Sequence, residues 1–156
     1  MYLLEYREDI ITLPYSGRGF HIPDGVYIIG TMNTADRSIA MVDYALRRRF
    51  AFFGLEPNEE LFNKPGTEFW IKDGDVRKDA VMVMKELNDK IEKINGLGEG
   101  YRIGHSYFMR KGGIDREQFR RILEYRVGAL IREYGQVIDD GAKESLNGVI
   151  EKFTQK

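Results

Sequence analysis

The chain has 156 residues, 24 Lys+Arg against 25 Asp+Glu (formal net charge -1), 42% hydrophobic residues and no cysteine. That composition is globular, excludes disulfides and thiolate metal sites, and lacks the basic excess of a general DNA-binding surface. No apolar run approaches the ~18 residues of a membrane helix, and the start "MYLLEYREDIITLP" has acids where a signal peptide has its basic region.

In chain order, "IITLPY" and "GFHIPDGVYIIG" read as strands joined by the turn-forming residues Ser16 to Gly19. Pro14 and Pro23 suit edge or terminal positions. "VYIIG" is continuously apolar, as expected of a strand buried on both faces. A polar turn follows, and Ser38 is placed to cap a short helix reaching about Arg48. "FAFFGLEP" predicts another apolar strand, ended by Pro57.

Beyond Pro57 the pattern becomes helical. Ala80, Met84, Leu87, Ile91 and Ile94 form one stripe over "AVMVMKELNDKIEKI". "LGEGYRIGHSYFM" is a glycine-punctuated connector. Asp115 and Gln118 form a capping-box pair that opens a helix with Phe119, Ile122, Leu123, Leu130, Ile131 and Tyr134 inward. Gly128 interrupts that helix, and Gly135 is a natural stop. A last helix over about 140–154 turns Leu146, Ile150 and Phe153 to one side. The expected fold is α/β followed by all-α. The expected division is an α/β part over 1–56 and a helical domain over 57–156.

Two features carry chemistry. Asn33, Thr34, Asp36 and Arg37 follow directly on an apolar strand, where ligands sit in open α/β sheets. A carboxamide there can orient a water or touch a γ-phosphate. The same residues are also good turn formers and helix caps. Arg47, Arg48 and Arg49 end the short helix. Cations there suit the helix dipole by ~0.3–1 kcal/mol each, but three in a row point to different sides. A charge beside a buried strand calls for an anion, phosphate or carboxylate. His105 can touch a base or phosphate, cap a helix or fill a core gap; His21 reads as surface. With two histidines and no cysteine, no histidine-rich metal site is expected.

The stretch "VYIIGTMNTADRSIAMVDYALRRRFAFFGLEP", with "ITLPYSGRGFHIP" before it and "GEGYRIGHSYF" after it, closely resembles the McrB family. These are AAA+ GTPase subunits of modified-cytosine-specific restriction systems. The resemblance implies the C-terminal part of an AAA+ core, with a β-hairpin before sensor 1, followed by a helical lid. It makes Asn33 the sensor 1 residue and Arg48 the arginine finger, with Arg49 and Arg47 as alternatives. Thr34, Asp36 and Arg37 fall in a signature loop near nucleotide and subunit interface. Asp43 can orient Arg47 by an i,i+4 pair. His105 and Ser106 lie where a sensor 2 helix would begin.

The sequence contains no G-x-x-x-x-G-K-[ST] phosphate loop and no convincing Walker B strand. The chain alone is therefore expected neither to hydrolyse nucleotide nor to hold it tightly. GTP or ATP with Mg belongs, by resemblance, to the parent protein. So do a homo-oligomeric ring, a McrC-like nuclease partner, DNA binding through a domain outside this sequence, and a cytoplasmic location. The alternatives are an ATP-dependent remodelling relative in the dynein-related branch of AAA+ proteins, and a non-enzymatic module whose arginines bind a carboxylate or nucleic-acid backbone.

Overall fold

The computed structural model describes residues 2–32, 47–65 and 70–155. It divides the chain into two compact units, Met1–Gly54 and Leu55–Lys156. Most of the described structure is helical, with one small antiparallel sheet.

The first unit opens with a single helical turn, α1 (Tyr2–Glu5), which buries Leu3. Strands β1 (Ile11–Thr12) and β2 (Gly19–Phe20) pair with Ile11 opposite Phe20 and Thr12 opposite Gly19. The loop between them closes because the N–H of Gly17 donates to the carbonyl of Leu13 at 2.9 Å, and that of Leu13 to Arg18 at 2.9 Å. Gly17 sits at φ 65, a left-handed conformation that glycine adopts without steric cost. The Arg7 guanidinium donates to the carbonyl of Val26 at 2.8 Å, which fastens the next segment.

The expectation that "VYIIG" is a buried strand and "FAFFG" another strand is corrected. Residues 26–30 and 51–54 carry no regular secondary structure, and Tyr27, Ile29 and Phe53 are 89%, 90% and 85% exposed. An apolar run becomes a central strand only when neighbours pair with both its edges. Among the described residues the sheet has two strands, and neither run belongs to it.

The second unit is a helical domain with one contiguous core. A 3-10 turn at Glu59–Asn63 buries Phe62. Helix α2 (Gly74–Ile91) follows, capped by Asp73, whose carboxylate accepts the N–H groups of Asp75 and Val76 at 2.9 and 3.1 Å. Those bonds, the one from Val76 foremost, hold the Asp73 carboxyl below the usual carboxylate range. The stripe reads as expected, with Ala80, Met84, Leu87 and Ile91 at 0–1% exposure. The helix starts at Gly74, ahead of that stripe, and stops at Ile91; Ile94 lies beyond it, partly buried against the core.

Helix α3 (Arg116–Arg121) opens with the Asp115–Gln118 capping box in full. It continues without a break into a π-helical segment, Ile122–Val127, and then helix α4 (Gly128–Tyr134). The π register is carried by Gly128, whose N–H donates to the carbonyl of Leu123. A side chain at Gly128 would meet that carbonyl at 3.1 Å and Ile150 at 3.8 Å, so the glycine keeps this rod close to its neighbour. Gly135 ends α4, but at φ -58 rather than in the left-handed conformation its position suggests. Helix α5 (Asp140–Thr154), capped by Asp139, buries Leu146, Ile150 and Phe153 as its periodicity requires. A partly buried ion pair, Arg116 to Asp79 at 2.6 Å, ties α3 to α2.

Candidate functional site

Residues singled out from the sequence fall in both units, and each unit is described separately. In the first, Arg47 lies in a helical turn and Arg48 and Arg49 in the turn that follows it. Arg47 and Arg48 are exposed. Arg49 is half-buried, with its side chain 15% accessible, and forms an ion pair with Glu5 of α1. Of three consecutive cations, one is therefore anchored and two are presented outward. A run of arginines separates in this way because consecutive residues leave the backbone in different directions. Asn33, Thr34, Asp36, Arg37, Asp43 and the Ser38 cap lie outside the described residues.

In the second unit the "GEGYRIGHSYF" motif is a loop fastened at Tyr101, Arg102, Ile103 and His105. Two 3-10 turns, Glu99–Tyr101 and His105–Tyr107, lie within it. The second turn ends at Tyr107, and the next α-helix opens at Arg116, directly after the Asp115 cap that the sequence marks. Gly112 and Gly113 between them, at φ 87 and 83, adopt a backbone that a helix excludes.

The fastenings are specific. The Tyr134 hydroxyl donates to the carbonyl of Tyr101 at 2.7 Å, and the two rings meet edge to face at 5.3 Å. Burial pushes the Tyr134 phenol above its ordinary range. Arg102 pairs with Glu56 and, at 3.3 Å, with Glu92, while its Nε donates to the carbonyl of Glu99 at 3.1 Å. The Asn88 side chain grips Ile103 from both sides. Its Nδ2 donates to the carbonyl at 3.1 Å, and its Oδ1 accepts the N–H at 2.6 Å. Asn88 is 9% exposed and Ile103 is fully buried. The amide thus imitates a neighbouring strand inside a helical core.

His105 has a defined partner. Its Nδ1 accepts the N–H of Asn58 at 3.1 Å, and Asn58 in turn caps the Glu59–Asn63 turn through a 3.0 Å bond to the N–H of Glu60. Of the roles open to His105, the geometry displays a capping one. Ser106 is exposed beside it. The same 3-10 turn is held to α2 by Lys85 and Glu59 at 2.9 Å; that bond holds the Glu59 carboxyl below its ordinary range and raises the Lys85 ammonium above its own.

Asn88 is the residue the periodicity argument overlooked. It lies four residues after Met84 and directly after Leu87, on the buried side of the stripe. A carboxamide on an apolar helix face requires a buried partner, and that was the available signal. Among the described residues no cluster of metal-ligating side chains occurs, and no helix is long and apolar enough to cross a membrane.

Two comparisons bear on this arrangement. Residues 79–140, which include most of α2, the fastened loop and the α3–α4 rod, match the family model described as McrB, alpha-helical lid domain. The chain is also 40% identical over 149 residues to the Type IV methyl-directed restriction enzyme EcoKMcrB subunit of Escherichia coli (strain K12). That match covers 88% of this chain, and the chain spans 29% of the length of that protein. With the lid matched as a domain and the relative matched well beyond it, this is a McrB-type chain whose second unit carries the McrB helical lid.

Proposed function

We propose that this chain supplies the lid and the trans-acting arginine of a nucleoside-triphosphate-driven restriction machine, with GTP as the nucleotide. In this reading the first unit belongs to a partial AAA+ core, Asn33 is its sensor 1 residue, and Arg48 is its arginine finger. The observation that carries the reading is the sorting of the three arginines. Arg49 is held by Glu5, whereas Arg47 and Arg48 are exposed and can reach an anion on another molecule; between those two, the likeness to the family favours Arg48. An arginine finger needs an exposed guanidinium, because its work is to stabilise charge on a phosphoryl group held elsewhere.

The sequence carries no phosphate loop, whose backbone amides and lysine supply most phosphate affinity. This chain by itself is therefore proposed to be inactive, and to act where a phosphate loop is provided. Mg would accompany the nucleotide there. The EcoKMcrB subunit is a methyl-directed restriction enzyme subunit by name; a role for this chain in modified-cytosine restriction, in a ring with a nuclease partner, is carried over from that likeness.

The base is the point to test. A complete McrB-type subunit bearing this stretch should hydrolyse GTP, and unlabelled GTP should compete with labelled GTP far better than ATP does. Equal competition by ATP, or hydrolysis of ATP alone, would move the chain to the ATP-driven reading.

A further inference from the structure

The lid carries a second feature that nucleotide chemistry does not absorb. A groove of ≈ 740 Å³ runs between the loop after Tyr107 and the α3–π segment, lined in part by Tyr107, Arg110, Arg121, Tyr125 and Arg126. We propose that this groove docks an acidic peptide segment containing an aromatic or apolar residue.

The charges favour an anion of that kind. Arg126 stacks over the Tyr107 ring at 5.2 Å and donates to the Tyr107 carbonyl at 3.3 Å, so its guanidinium is pre-oriented while further N–H groups remain for a ligand. Arg110 is exposed. Arg121 pairs at 2.9 Å with Glu117, with both side chains at least 70% accessible. Such a pair is worth only ~0–1 kcal/mol, so Arg121 can exchange partners at little cost. The groove's other carboxylate, Asp115, is occupied as a helix cap, accepting the Gln118 N–H at 2.8 Å. Tyr125, 65% exposed, offers an aromatic face in the same groove. It stands on the π-helical segment, a geometry that costs hydrogen-bond quality and is often retained at functional sites.

A peptide fits better than a nucleic acid. The chain's net charge of -1 gives no long-range attraction for a polyanion. Carboxylates interspersed among the arginines oppose a continuous phosphate backbone but leave separate seats for separate side chains. The guanidinium fork matches a carboxylate in two-point contact.

The test is fluorescence anisotropy with the full chain and a labelled peptide of glutamates flanking a phenylalanine. The comparison probes are the same peptide with glutamines for glutamates, and single-stranded oligothymidylate. Saturable binding to the acidic peptide is expected. Arg110→Glu with Arg121→Glu should weaken it about tenfold or more, and Tyr125→Ala should weaken it as well. If the charge-reversed chain melts at a lower temperature than the parent, the Arg110→Gln, Arg121→Gln pair replaces it, with the same loss expected in a smaller degree. The proposal is overturned by no saturable binding, by equal binding of the glutamine peptide, by variants that bind as the parent does, or by tighter binding of oligothymidylate that the variants abolish. The last result would make the groove a phosphate surface.

Discussion

Replacing Asn88 by alanine tests whether the fastened loop is a built element of the lid. The carboxamide makes a 3.1 Å bond to the carbonyl of Ile103 and a 2.6 Å bond from its N–H. Ile103 is fully buried, so truncation strands one buried donor and one buried acceptor. Each stranded group costs about 1–3 kcal/mol, and the pair therefore about 2–6 kcal/mol. For a domain of this size that corresponds to a fall in Tm of roughly 10–30 °C. Urea unfolding followed by far-ultraviolet circular dichroism measures it, with the change expected in the midpoint rather than the slope. Asn88→Asp sharpens the result. The aspartate still accepts the Ile103 N–H but sets a carboxylate against the Ile103 carbonyl. Once protonated it can donate there as the amide does. The Asp variant should therefore be destabilised near neutral pH and recover toward the parent as pH falls. A loss below about 0.5 kcal/mol for Asn88→Ala, or no recovery of the Asp variant in acid, would refute the reasoning.

Two other perturbations address the same unit. Gly113 has φ 83, and a Cβ there would lie 2.7 Å from the carbonyl oxygen of Trp70; Gly113→Ala should cost about 2–4 kcal/mol in the same urea assay, from conformational strain and the clash together. Asp73→Ala should cost about 0.5–2 kcal/mol through loss of the α2 cap. Because the folded Asp73 carboxyl titrates below its unfolded value, its contribution is present above the unfolded pKa and disappears as pH falls through the folded one. The gap between parent and variant should accordingly close in acid and stay constant at neutral and alkaline pH.

The helices were legible because each is specified locally. The Asp115–Gln118 box, the stripe from Ala80 to Ile91 and the face Leu146–Ile150–Phe153 all lie within a few turns of chain. The π segment was not legible. Phe119, Ile122, Leu123, Val127, Ile131 and Tyr134 keep spacings that an ordinary helix also buries, and Gly128 reads as a mere interruption. The two apolar runs of the first unit misled for the opposite reason. A strand's burial depends on partners distant in sequence, and "VYIIG" carries no record of whether they are present. Among the site residues, position along the chain marked the arginine triplet, but only the Glu5 contact separates Arg49 from Arg48. Asn88 was hidden because a stripe is counted by its apolar members, and the polar residue within it was passed over.

The most direct test of the proposed function is Arg48→Ala in a complete McrB-type subunit bearing this stretch. Removal of an arginine finger should cut nucleotide hydrolysis by roughly 10³-fold or more, with nucleotide binding nearly unchanged, because the finger serves a neighbouring subunit. If Arg48 merely completes the helix end, the loss would be about 1 kcal/mol of stability with activity retained. Mixing the Arg48→Ala protein with one disabled in its phosphate loop decides between these. The account predicts partial recovery of hydrolysis, each protein supplying across the shared interface what the other lacks. A mixture that co-assembles yet stays inactive would contradict it and pass the role to Arg47 or Arg49.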